Sequence, residues 1–194
     1  MLIITANIAN VDARSVFNLF EKSGYLQADI NVVEDGVDEQ KFRKLTDGTN
    51  NYVLQLTYLT DLQQFTRQQL ASSRVIIFYF EPQLMLAQLL AEPHDVENIG
   101  LKLQEWYDLS SRALEFYKKN RSGCSIINFN DCIANPHAFI NLINPESSVI
   151  NTQLIEIESV KPTEVSLWVA QQLLLKMVEI NRLYAELEAC SIEL

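Results

Sequence analysis

The chain has 194 residues, 48% of them hydrophobic, which suits one compact domain with a sizeable core. Fifteen Lys and Arg against 25 Asp and Glu give a net charge of −10, a balance that repels both a nucleic-acid backbone and an anionic membrane surface. Five glycines and five prolines exclude collagen-like and linker-like segments, and leave little for a glycine-rich phosphate cradle.

The three cysteines, Cys124, Cys132 and Cys190, are odd in number and lack C-x-x-C spacing, so they read as reduced, mostly buried thiols. No basic n-region precedes a long apolar stretch, and no run approaches the roughly 20 apolar residues of a membrane span, so a soluble cytoplasmic protein is expected.

In chain order, Leu2 to Thr5 is a short β-branched strand, and Asn10 or Asp12 caps a helix over Ala13 to Lys22 that Gly24 ends. A weak strand is placed at Ala28 to Val33, a turn at Asp35-Gly36 and a helix over Val37 to Leu45, closed near Gly48. Tyr52 to Tyr58 reads as a strand, Thr60 as the cap of a helix through Leu70, and Arg74 to Phe80 as a strand buried on both faces. Pro82 opens a helix over Gln83 to Leu90 that Pro93 stops, and Val96 to Asn120 is a long amphipathic helix. Ser125 to Phe129 is a further strand, Asp131 starts a helical turn, and Asn135-Pro136 opens a helix to Leu142 that Asn144-Pro145 closes. Gln153 to Ile157 is read as an edge strand or extended segment. Pro162 and Thr163 open a final helix expected to run unbroken to about Ala189. This alternation predicts an α/β fold, three layers with a mostly parallel sheet, as residues 1–161, followed by a long C-terminal helix as residues 162–194.

The loop after the first strand, TANIANVDARS, stands where a phosphate-binding loop would sit but has no glycine and no lysine, and Asp12 opposes a phosphate. Arg14 and Ser15 are its candidates for an anion site, against the alternative of an ordinary helix start. His94 and His137 each follow a proline and read as surface or capping residues. Neither HExxH nor GxSxG occurs, so no catalytic residue and no metal ligand is assigned. Glu34, Asp35, Asp38 and Glu39 lack EF-hand spacing and suit a solvated loop and the first turn of a helix, with cation coordination or a general base as the alternatives. Lys118, Lys119 and Arg121 complement the end of the long helix or form an anion site. In the tail, Val165, Trp168, Val169, Leu173, Met177, Ile180, Tyr184 and Leu187 form a stripe broad enough for domain packing or self-association.

From Arg74 onward, the segment VIIFYFEPQLMLAQLL resembles the strand, Arg-Asp-Pro and helix of the sulfotransferase-type P-loop family, with Glu81-Pro82 in place of Asp-Pro. EWYDLSSRALEFYKKNRSGCSIINFNDCIANPHAFINLI is similar to the Trp-bearing helix, buried strand and Pro-started helix of its bacterial members, and LLLKMVEINRLYAELEA to their tail helices. The resemblance implies a P-loop sulfotransferase-like fold and a place in bacterial surface-polysaccharide biosynthesis. In that family the first loop holds the 5′-phosphosulfate through a glycine and a Lys or Arg, and Ala6 to Val11 supply neither. Phe80 replaces the Arg that binds the donor's 3′-phosphate, and Gln88 replaces the serine that shares it.

These departures lead to the reading of a degenerate member. It is a non-catalytic binding or assembly module with no cofactor, forming a homo-oligomer or meeting a partner protein through the C-terminal helix. The alternative is an active sulfo- or glycosyltransferase with an atypical nucleotide-donor site built from Arg14, Ser15 and Lys118 to Arg121, with Glu34 or Asp35 as base. A third is a small-molecule-binding α/β protein with its pocket at the carboxyl ends of the strands.

Overall fold

The computed structural model describes residues 1–8, 13–28, 32–33, 36–56, 59–91, 98–145 and 162–194. Asn10, Asp12, Glu34, Asp35, His94 and the segment 153–157 lie outside the described residues. Five parallel strands form one sheet in the order β2 (Leu26–Gln27), β5 (Tyr52–Gln55), β1 (Leu2–Asn7), β6 (Arg74–Tyr79), β7 (Cys124–Asn128). A separate antiparallel pair joins β3 (Val32–Val33) to β4 (Gly36–Val37).

The central strands β1 and β6 are almost wholly buried, as their unbroken apolar runs require for strands covered on both faces. After β1 the chain moves through α1 (Ala13–Lys22) toward β2, and after β6 it moves through α5 (Ile99–Lys119) toward β7. Right-handed crossovers in opposite directions put α1 and α5 on opposite faces, which makes the three layers expected from the sequence. Successive residues of β6 show both layers. Phe78 meets Phe20 of α1 and Phe139 of α7 (Pro136–Ile143), while Tyr79 meets Tyr184 on the other side.

Gly24 ends α1 as expected, in the left-handed region at φ 82°. Tyr25 N–H donates to the Phe20 carbonyl at 3.0 Å and Gly24 N–H to that of Glu21 at 3.0 Å, with Phe20 and Tyr25 in edge contact. Asp38 caps α2 (Glu39–Thr46) by accepting from Gln40 and Lys41 N–H, and Glu39 pairs with Arg43 at 2.9 Å, so these two acids serve their own helix.

Three expected elements differ. Of the weak strand placed at Ala28 to Val33, the described residues show Val32–Val33 as a strand, but in the separate pair. The sheet's edge strand is Leu26–Gln27, because Tyr25 and Leu26 leave the helix already aligned with β5, with Leu26 N–H bonded to Asn51 O at 2.9 Å. The segment after β5 is a 3₁₀ turn, Leu59–Gln64, followed by α3 (Arg67–Ala71). Its cap is Thr66, not Thr60, through a reciprocal pair with Gln69. The final helix is broken into α8 (Glu164–Leu174) and α9 (Val178–Cys190). Without Gly or Pro, the turn is closed on the Leu174 carbonyl, which accepts from Met177 N–H at 2.8 Å and from Asn181 Nδ2 at 2.7 Å. The turn folds α9 back onto α5 and β7, where Leu187 is buried and Ile192 N–H bonds Ile126 O at 3.0 Å. α8 packs on α4 (Pro82–Ala91) through Ser166, Ala170 and Leu174. Among the described residues, no helix is long and apolar enough to cross a membrane.

Candidate functional site

In an open parallel sheet the ligand crevice lies beyond the carboxyl ends of the strands, where neighbouring strands send their connections in opposite directions. Here that place is between β1 and β6. Ile8 N–H bonds Phe78 O at 2.8 Å and holds the end of β1 against β6, so Asn7 and Ile8 form one lip. The other lip is Tyr79 to Pro82. Trp106, fully buried on α5, donates its indole N–H to the Phe80 carbonyl at 2.9 Å and fixes the point where β6 turns into α4. β7 ends beside it in α6 (Phe129–Ala134), whose first turn carries Asp131.

Three carboxyl groups lie within electrostatic reach of one another at this end: Glu81 from the turn between β6 and α4, Asp131 from α6 and Glu188 from α9. The Tyr79 hydroxyl donates to Glu188. Burial, then Glu188, then Asp131 hold the Glu81 carboxyl above its usual range, and burial followed by Glu188 does the same to Asp131. Burial is also the first cause that raises the Tyr79 and Tyr184 hydroxyls, with the hydrogen bond to Glu188 next for Tyr79 and the charge of Glu81 next for Tyr184. Both phenols therefore stay protonated as donors. The site is an acidic, partly screened corner in which burial acts first on Glu81 and Asp131 and the neighbouring carboxylates add to it.

A cavity of about 280 Å³ opens from this corner under the α8–α9 turn, lined by Glu81, Gln83, Gln171, Asn181 and Tyr184 with Leu174 and Leu175. Asn7 Oδ1, at the end of β1, and Asn130 Nδ2, in the first turn of α6, are buried and have no hydrogen-bond partner among the described residues. Amides, phenols and protonatable carboxyls suit a neutral polar or cationic group, and a phosphate brought to about 6 Å of one carboxylate meets a repulsion of about 3 kcal/mol at an effective dielectric of about 20. Among the described residues no group of three His, Cys, Asp or Glu is arranged to hold a metal ion.

Of the residues singled out in the sequence, Arg14 is exposed at the start of α1, on the carboxyl side of the sheet. Ser15 is in the same turn. Lys118, Lys119 and Arg121 precede β7 and so lie at the amino end, which separates them from Arg14 by the length of the sheet, about 17 Å for a five-residue strand. One donor site built from both sets is not what the fold assembles. Each of the three is also engaged locally: Lys118 with Glu186 at 3.3 Å, Lys119 with Glu115 at 4.0 Å, and Arg121 over the Tyr117 ring. His137 is exposed in the first turn of α7. Cys124 and Cys132 are buried free thiols, Cys124 pushed up to about 12 by burial, and Cys190 is half-buried and free. Phe80 is buried and Gln88 half-buried. The sequence reading missed Tyr79, Asp131 and Glu188 as a set, since Tyr79 and Glu188 are 109 residues apart and no local pattern links them.

No family model matches the chain, and no curated protein matches it. Among solved structures it is similar to the crystal structure of mouse sulfotransferase SULT7A1 complexed with PAP, at TM-score 0.47 and 12% identity. The match covers 88% of this chain and 62% of that one, so the chain spans less than two thirds of that enzyme's length.

Proposed function

We propose that this chain is a non-catalytic binding or assembly module on a sulfotransferase-like α/β frame. The observation that carries the reading is the corner of Glu81, Asp131 and Glu188 at the carboxyl ends of the strands, the end at which such sheets take their ligands. A nucleotide donor there faces carboxylates. It also lacks the charge-assisted bonds an Arg and a Ser at positions 80 and 88 would give, worth about 1.5–3 kcal/mol each. The apolar outer side of α8 supports the assembly half of the reading, through a second copy or a partner protein. A bacterial surface-polysaccharide system, implied by the sequence resemblance, is the setting proposed with it.

Isothermal titration with 3′-phosphoadenosine 5′-phosphosulfate tests the reading. No saturable heat is expected up to about millimolar donor, which means a binding free energy weaker than about −4 kcal/mol. A micromolar Kd overturns it and returns the chain to the transferases.

A further inference from the structure

We infer that the outward face of α8 is the contact of a homodimer, packed antiparallel on the same face of a second copy. This rests on the assembly reading above and names its partner. Each residue of a helix turns about 100° from the last, so the face opposite the buried Ser166, Ala170 and Leu174 carries Glu164, Val165, Trp168, Gln172 and Leu175. Val165, Trp168 and Leu175 are 71%, 62% and 65% exposed. Single exposed apolar residues are ordinary, but three on one stripe of a helix, a tryptophan at its centre, form a patch that marks an interaction surface. Both ends of the helix are pinned, by Thr163 accepting from Ser166 N–H and by Asn181 at Leu174, so the face is presented rigidly.

The order of residues on that face says what covers it. In an antiparallel pair with its two-fold axis at the level of Ala170, Val165 of one copy lies opposite Leu175 of the other. Trp168 lies opposite Gln172, and Glu164 opposite Lys176, which sits in the turn just past the helix. All three pairings share the same midpoint, so one register satisfies them together, and the symmetry repeats each on the other side of the axis. Apolar meets apolar, the Gln172 amide lies on the indole, and a carboxylate closes on an ammonium at both ends. A parallel pair instead sets Glu164 on Glu164 and Lys176 on Lys176. Both charges are exposed and neither forms an ion pair among the described residues. A palindromic face of this kind is complementary to itself, which a surface built for a different protein does not need.

One helix face per copy is at the small end of stable interfaces, so the expected Kd is micromolar. Sedimentation equilibrium of the full chain from about 1 to 200 µM should follow a monomer–dimer equilibrium. The two tryptophans add a local readout: Trp106 is fully buried, so a blue shift of emission with rising concentration reports Trp168 leaving water. Lys176→Glu and Glu164→Lys should each weaken the dimer about tenfold, and the two together should restore it to within about threefold, since both symmetric pairs reverse. Trp168→Ala, a change at an exposed position, should leave the melting temperature of dilute protein unchanged and abolish the dimer. A monomer throughout this range overturns the proposal, as does a dimer whose emission or charge-swap response is flat. Titrating the same samples with 3′-phosphoadenosine 5′-phosphosulfate separates the two ideas. A monomer that binds no donor sinks the dimer alone, whereas micromolar donor binding sinks the non-catalytic reading whatever the mass.

Discussion

The two ends of the sheet handle charge in opposite ways. At the amino end, Lys118 and Lys119 have carboxylate partners, Arg121 lies over Tyr117, and the Arg74 guanidinium donates to the Leu142 carbonyl at 3.0 Å. At the carboxyl end Glu81, Asp131 and Glu188 have one another, and the donors they meet are phenols rather than cations. Within a chain of net charge −10, these bases have partners at one end, while three acids share the other, where a ligand would enter. The end with the uncompensated groups is where substitution and pH should be felt, and the paired end should be indifferent.

The largest effect should come from what holds the carboxyl end in place. Trp106 fills the space between α5 and β6 and ties down the Phe80 carbonyl. Trp106→Ala is expected to cost about 3–5 kcal/mol in chemical denaturation, from a cavity and a lost bond together. Trp106→Phe keeps most of the packing and leaves the carbonyl unpaired, for about 1–3 kcal/mol. A loss below about 1 kcal/mol for the alanine variant would show that α5 can leave this end without consequence, and the rigid corner would not stand. Tyr79→Phe removes the hydroxyl that Glu188 accepts from. Because Glu188 is open to water on its other side, the loss should be about 1 kcal/mol.

The pH dependence should come from the carboxyl end. Glu81 and Asp131 have raised folded values, so between the unfolded and folded values the native state holds more protons than the unfolded chain. Their contribution is complete below the ordinary carboxylate range and is lost as pH rises through the folded values. Glu81→Gln should therefore raise the melting temperature at pH 7 and flatten its decline above about pH 4.5. Scanning calorimetry from pH 4 to 8 reads this directly. A variant that melts lower at pH 7, with an unchanged slope, would mean that Glu81 is held by a favourable charge rather than crowded by like ones.

Local chemistry made the frame readable and left the corner hidden. Gly24 marks a helix end because only a residue without Cβ takes φ 82° freely, and Asn135-Pro136 opens α7 because the Asn side chain accepts from Ala138 N–H while Pro lacks a donor to waste. RVIIFY announces a central strand by composition alone. Thr66 and Gln69 form a capping box that the spacing already displayed, yet Thr60 was the more prominent signal at the end of an apolar run. The break at Leu175 to Met177 has no such mark, since it depends on Asn181 reaching back across the turn and on α9 finding α5. Glu81 was visible as the residue after the strongest strand. Its neighbours were not, because Asp131 and Glu188 reach it only once β7 and α9 are docked.

The smallest effect sharpens the comparison most. Lys118 and Glu186 join α5 to α9 at 3.3 Å with half of each side chain in water, and Glu186 also meets Arg182 at 3.5 Å. An exposed pair of this kind is worth a few tenths of a kcal/mol, and Arg182 remains when Lys118 is removed. Lys118→Ala should thus shift stability by less than about 0.5 kcal/mol, with no change in pH profile and less difference still at high salt. If it instead destabilised the protein by more than about 1 kcal/mol, the amino end would be held by charge as strictly as the carboxyl end is held by Trp106. The contrast between a neutralised edge and a crowded one would then disappear.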